Sequence, residues 1–126
     1  PDYVFEDFYS GFSDINPDYK FQTLEEAEAF VRANGHLPGV VSYEEVKANG
    51  HTISLSETSV NNLEKIEEQF LYITTLNKKL KAQDADLQTL KEELKASQSD
   101  NSELKASVKV LNDKLNLLIE TLQSDK

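Results

Sequence analysis

The side chains in this sequence that we weigh for catalysis or metal binding are the two histidines and paired glutamates such as Glu25-Glu26 and Glu44-Glu45. His36 and His51 could hold a metal together with carboxylates, but their spacing fits no known ligand motif. For His36, in a turn after a helix, hydrogen bonding to backbone carbonyls is favoured. For His51, a surface position or a contact between the N-terminal part of the chain and the long C-terminal helix is favoured. Glu25-Glu26 and Glu44-Glu45 could act as acid and base, yet both open a predicted helix, where the helix dipole favours acidic residues. We therefore expect no enzyme activity, no catalytic residue, no metal site and no cofactor.

The longest element that this sequence predicts is a helix in its second half. After Gly50 the chain contains neither glycine nor proline, and from Leu63 to Leu122 apolar side chains recur at spacings of three and four. This period is typical of a coiled coil. A lone helix would expose the stripe to water at a cost of about 25 cal/mol per Å² of apolar surface, so we expect it to pair with copies of itself.

We call this stripe the seam. Its spacing shifts once, between Phe70 and Leu76, in the manner of a stammer. Its members, which are the predicted oligomer interface, are Leu63, Ile66, Phe70, Ile73, Leu76, Leu80, Gln83, Leu87, Leu90, Leu94, Ser97, Asn101, Leu104, Val108, Leu111, Leu115, Leu118 and Leu122.

Three polar residues interrupt the seam. Asn101 occupies an a position, where asparagine specifies register and favours two strands, whereas Gln83 and Ser97 at d positions favour neither number. Leucine at both a and d permits dimers and trimers alike. Register pinning is the favoured role of the polar layers, and a polar cavity holding ions or water is the alternative.

Charges beside the seam indicate which way the partner helices run. In a parallel assembly a residue at g meets the e residue five positions later on its neighbour. The three pairs are Lys79 with Asp84, Asp86 with Lys91, and Asp100 with Lys105. Each pair is opposite in sign, so parallel self-association is predicted.

Composition divides the chain into two predicted domains, a head (residues 1–54) and a coiled-coil stalk (residues 55–126). Residues 1–70 carry the whole net charge of −10, and residues 71–126 are neutral. An acidic head argues against nucleic acid and anionic membranes as partners, and no segment has the roughly 20 apolar residues that span a bilayer. The head is too short for an ample core of its own, so we expect it to dock on the stalk.

Local patterns in the head predict a hairpin followed by helices. Tyr3-Val4-Phe5 and Tyr19-Lys20-Phe21 are predicted to form two strands. Capping boxes predict helix starts at three places, which are Thr23 to Glu26, Ser42 to Glu45, and Ser54 to Glu57. The predicted fold class is mainly α, with a small α+β head followed by a long parallel coiled-coil helix.

Aromatic residues cluster near the start of the head. Phe5, Phe8, Tyr9 and Phe12 lie within eight residues of one another. Packing in the head and on the stalk is the favoured role. The alternative is that Phe8, Tyr9 and Phe12 form a surface for a carbohydrate or another protein.

An ordered set of motifs in residues 1–76 resembles the C-terminal module of large Bacteroidota surface and tail-fibre-like, or adhesin-like, proteins. The motifs are Pro1-Asp2-Tyr3-Val4-Phe5-Glu6, Leu24-Glu25-Glu26, Asn34-Gly35-His36-Leu37-Pro38-Gly39, Val46, Gly50, Leu63-Glu64-Lys65-Ile66-Glu67-Glu68 and Leu71-Tyr72. Two departures stand out. The segment from Asp7 to Asp18 is an insertion, and Leu55-Ser56-Glu57-Thr58 replaces the Leu-Gly-Glu-Met typical of these proteins.

The resemblance implies a position and a role. It implies a terminal module of an extended fibre at the cell surface, outside the cell or on a virion-like particle, with the fibre body N-terminal to Pro1. It favours a homotrimer over the dimer that Asn101 indicates, and trimerisation with fibre termination as the function. Two alternatives stay open, namely an adhesive tip that binds a host glycan or surface protein, and an intracellular dimeric coiled-coil scaffold.

Overall fold

Four α-helices and no β-strand make up this protein in the computed structural model, which describes all residues from 1 to 126. They are α1 (Tyr3–Ser10), α2 (Leu24–Asn34), α3 (Tyr43–Ala48) and α4 (Leu55–Ser124). The mainly helical class and the long C-terminal helix are confirmed. Two compact units divide the chain, Pro1–Lys78 and Lys79–Lys126, so the first unit includes the beginning of α4 and extends past the predicted boundary at residue 54.

The predicted α+β character of the head is wrong, because its first segment is a helix. Tyr3, Val4 and Asp7 are buried on one side of α1, and this spacing is that of a helix face. Aromatic and β-branched residues favour strands only weakly, and burial against another element overrides that preference. Gly11, with a φ of 77°, ends α1 as a left-handed cap whose N–H donates to the Asp7 carbonyl.

The second predicted strand, at residues 19–21, is an extended segment without a partner strand. Its backbone is held by a side chain, because the Phe21 N–H donates to Asp7 Oδ2 at 2.8 Å. Lys20 Nζ lies 2.7 Å from Asp7 Oδ1, and together these two donors hold the pKa of the Asp7 carboxyl below its usual range. Bonds to the buried Asp7 carboxylate therefore hold this segment, instead of the strand-to-strand hydrogen bonds of the predicted hairpin.

Residues 11–18, between α1 and this segment, form a loop that is anchored to α1. Ser13 is fully buried and its hydroxyl donates to Glu6 Oε2 at 2.5 Å. The Ile15 N–H donates to the same carboxylate oxygen at 3.4 Å. These bonds lower the pKa of Glu6 and turn the chain back, so that Tyr19 returns to the core.

Capping boxes begin α2 and α3 as predicted. Thr23 Oγ1 accepts from the Glu26 N–H at 3.2 Å, and the Glu26 carboxylate accepts from the Thr23 N–H at 2.8 Å. Ser42 and Glu45 make the same two bonds at 3.2 and 2.7 Å. At the third site Ser54 Oγ accepts from the Glu57 N–H at 3.4 Å. Helix α4 begins at Leu55, directly after Ser54.

The core of the first unit lies between α1, the segment around Tyr19 and one side of α4. It consists of Tyr3, Val4, Tyr19 and Leu71. The partly buried rings of Phe5, Phe8 and Phe21 pack around it. The head therefore docks on the helix of its own chain, as expected for a segment too short to build a separate core.

A turn after α2 also approaches α4. Gly39 has a φ of +72°, and a Cβ at this position would lie 3.3 Å from Glu64 Oε1 and 3.8 Å from Lys65 Nζ. Gly35 has a similar φ of +78°, but a Cβ there would meet no atom within 4 Å. A substitution at Gly35 would therefore introduce backbone strain alone, whereas a substitution at Gly39 would introduce backbone strain and a close contact.

We expect Gly39→Ala to destabilise the first unit more than Gly35→Ala. Both changes carry the left-handed strain of about 1–2 kcal/mol, and only Gly39→Ala also pushes on the Glu64 carboxylate. The free energy of unfolding, measured by near-ultraviolet circular dichroism in denaturant, gives the comparison. Equal losses in the two variants would contradict the close packing at Gly39.

Candidate functional site: two opposite faces of the long helix

Within the first unit, α4 presents its seam residues to solvent. Leu63, Ile66, Phe70, Ile73 and Leu76 are between 51 and 64 % exposed. They are large apolar side chains on one side of a helix whose other side is covered by the head. An exposed patch of this kind is typical of an interaction surface.

The head covers the other side of α4, which we call the docking face. It comprises Glu64, Lys65, Glu68, Leu71 and Tyr72. Leu71 is fully buried, and Lys65 and Glu68 are 8 and 9 % exposed. The head thus occupies a face that contains charged residues and leaves the apolar face free.

Helix geometry shows that these two faces point in largely opposite directions. An α-helix turns about 100° per residue. On that scale the mean direction of the five docking-face residues lies about 150° from that of Ile66 and Ile73. Lys65 is at the edge of the docking face, about 90° from the seam. Docking of the head therefore does not block the seam in this unit.

Lys65 is the centre of a hydrogen-bonded layer between the head and α4, which we call the docking layer. Its ammonium lies 2.8 Å from Glu64 Oε1 and 2.9 Å from both carboxylate oxygens of Glu68. The Tyr3 hydroxyl donates to Glu64 Oε2 at 2.6 Å, and the Tyr19 hydroxyl donates to Glu68 Oε1 at 3.0 Å. Each head tyrosine thus donates to a carboxylate that also binds Lys65, and the two carboxylates share this one ammonium.

Burial in this layer changes the ionisation of three phenols. It raises the pKa of Tyr3 and of Tyr19 well above the usual range, and the neighbouring glutamates raise both further. Burial together with the Glu68 charge raises the pKa of Tyr72 to about 12, and its hydroxyl donates to the Gln22 carbonyl at 2.8 Å. All three phenols therefore act as neutral donors at neutral pH.

The second unit, Lys79–Lys126, consists of the remaining part of α4. Its apolar seam residues are between 48 and 64 % exposed. They are Leu80, Leu87, Leu90, Leu94, Leu104, Val108, Leu111, Leu115, Leu118 and Leu122. Gln83, Ser97 and Asn101 are exposed as well. A helix with this stripe has nothing within its own unit against which to bury it.

The three aromatic residues predicted as a contact surface are not equivalent. Phe8 is half-buried, with its ring 4.9 Å from the Phe21 ring and 5.0 Å from the Tyr9 ring. Tyr9 is 68 % exposed and Phe12 is 48 % exposed. Lys20 Nζ lies 5.6 Å from the centroid of the Phe12 ring. Phe8 therefore packs inside the head, whereas Tyr9 and Phe12 face solvent.

The histidines lie apart from the docking layer. His36 Nδ1 is 3.0 Å from the Leu37 carbonyl oxygen, and its ring packs edge-on against Phe30. His51 is exposed. The structure gathers no group of three or more histidine, cysteine, aspartate or glutamate side chains suited to a metal ion.

The sequence patterns did not reveal the docking layer. Their available signal was a lysine flanked by glutamates at positions 64, 65 and 68, on the side of α4 opposite the seam. A run of charges on a helix is usually solvated, so pattern alone does not distinguish it from a docking face. The partners Tyr3 and Tyr19 lie 61 and 49 residues away along the chain.

Comparison with known proteins adds no relative: no family, curated protein or solved structure matches this chain. None of its helices combines the length and the apolar character that a membrane span requires.

We expect Lys65→Met to destabilise the first unit by about 3 kcal/mol, because it leaves two buried carboxylates without their cation. Lys78→Met is the matched control, since Lys78 is exposed on the same helix. Denaturant unfolding followed by tyrosine fluorescence measures both. A loss no larger than that of the control would show that the layer does not hold the head.

Alkaline pH should also weaken the docking. Unfolded tyrosines ionise near a pH of about 10, whereas Tyr72 in the folded chain holds its proton to about 12. The stability that the neutral Tyr72 phenol contributes is fully present below a pH of about 10. It is lost as the pH rises towards about 12, the pKa of Tyr72 in the folded chain. The free energy of unfolding should fall across this window, and less steeply in Tyr72→Phe. A flat profile would contradict burial of these phenols.

Proposed function

We propose that this chain is a parallel self-association module, which trimerises and terminates an extended surface or phage-tail-like fibre. The observation that carries the proposal is the placement of the head on the face of α4 opposite the seam. Copies can therefore meet along their seams without moving their heads. The opposite-sign g and e pairs support a parallel arrangement.

The fibre setting is supported by the resemblance of residues 1–76 to terminal modules of Bacteroidota tail-fibre-like proteins. In such a setting the head seats the upstream shaft on the coil, and the coil holds the chains together. The trimer follows from this resemblance, and Asn101 favours a dimer. In a trimer and in a dimer alike, the partner of the chain is another copy of the same chain.

Light scattering on purified protein should give a mass that is a multiple of the 14.2 kDa chain, and three chains are expected. Leu94→Asp should weaken association roughly tenfold or more, since burying an unpaired carboxylate costs more than the 1.4 kcal/mol that a factor of ten represents. Ser99→Asp, on the outer side of the same helix, is the matched control. A wild-type mass of one chain would refute the proposal.

An adhesive tip is the second candidate, because Tyr9 and Phe12 are exposed while Phe8 packs inside. Under this alternative Phe12→Ala abolishes binding to a glycan array. Tyr43→Ala removes an aromatic ring from α3 that is more exposed than Phe12, at 68 against 48 %, and should leave binding intact because Tyr43 lies outside the aromatic cluster. Absence of binding by wild-type protein, or equal loss in both variants, would eliminate this function.

A further inference from the structure

Two apolar features of the head lie on opposite flanks of the seam. We call Phe5 and Tyr9 the α1 edge, since a spacing of four residues places them on one side of α1. The Phe5 ring packs edge-on against Phe70, with centroids 6.1 Å apart. Phe5 therefore places the α1 edge beside the Phe70 flank of the seam, and Tyr9 lies one helical turn further along α1.

The opposite flank carries a groove of about 220 Å³ between α2, the following turn and α4. We call it the α2 groove, defined by Leu24, Val31, Leu37 and Gln69. Leu24 and Leu37 are 45 and 44 % exposed. They are large apolar side chains that nothing in the chain covers completely.

Helix geometry places these features to either side of the seam. At about 100° per residue, Phe70 and Gln69 lie about 50° to the two sides of the line through Ile66 and Ile73. Each flank is therefore next to the surface along which a second helix would pack.

Both features also lie at the same level along α4. The α1 edge reaches the helix at Phe70, and the α2 groove involves residues 65–72 of α4. In a parallel, in-register assembly, equal residue numbers lie at equal heights. A ring of identical chains brings one flank of each copy against the opposite flank of the next, whatever the number of chains.

We propose that the α1 edge of one copy docks in the α2 groove of the next copy, so that the heads close a ring around the coil. This inference rests on the proposed parallel self-association and identifies a second contact within it. It also gives a contact to Tyr9, which is 68 % exposed within one chain. The occupant of the groove is thus a second copy of this chain.

Mixed single-cysteine variants test the proposal, because the chain contains no cysteine. Tyr9→Cys protein is refolded with Leu37→Cys protein and treated with a short bis-maleimide reagent. A shift from the monomer band to a covalent dimer is expected in a denaturing gel. Neither variant alone should give this dimer. Leu24→Cys serves as a second probe of the groove, should Leu37→Cys fail to fold.

The matched control replaces Leu37→Cys with Ala33→Cys. Ala33 is exposed on α2, and its sequence position places it on the side of that helix away from Leu24 and Val31. Tyr9→Cys mixed with Ala33→Cys should stay monomeric in the gel. Equal cross-linking at positions 33 and 37 would overturn the docking.

Asn101→Cys reports separately on the coil. If Asn101→Cys chains cross-link with each other while Tyr9→Cys and Leu37→Cys chains do not, the head contact is refuted and the proposed function stands. If Asn101→Cys does not cross-link and the mass is that of one chain, the proposed function and this inference fail together.

Discussion

One constraint governs the first unit: the beginning of α4 has two different faces on largely opposite sides, and the head covers only one of them. The head is the partner of one face and covers Leu71 completely. The seam, with residues such as Ile66 and Ile73, has no partner within the first unit. Because the head and the seam do not compete, a folded head is compatible with self-association of the helix.

The two faces are recognised by different chemistry. The docking face uses directional bonds, in which Lys65 joins Glu64 and Glu68 and each glutamate accepts a head tyrosine. A buried ionic layer is weak evidence for added stability, but its bonds are satisfied only in one arrangement. We infer that it orients the head on α4, while the seam depends on apolar burial. A shift of the head along the helix would leave carboxylates without donors.

The sequence predicted what depends on local chemistry. Thr23 with Glu26 and Ser42 with Glu45 cap their helices as expected, because each box is satisfied by residues three positions apart. The seam was likewise evident from its period. Failure came where distant residues decide the structure. Residues 3–5 have the composition of a strand, yet they form a helix because its apolar side is buried against Leu71.

The docking layer was missed for the same reason, since no local pattern connects Tyr3 to Glu64.

Distances between spin labels test most directly whether the seam is an interface between copies. Labels placed singly at Ala85 and at Asp113, both on the outer side of the predicted coil, are measured by double electron–electron resonance. A parallel, in-register assembly predicts the same short distance from each label. Absence of any distance in both samples, or clearly different distances, would contradict it.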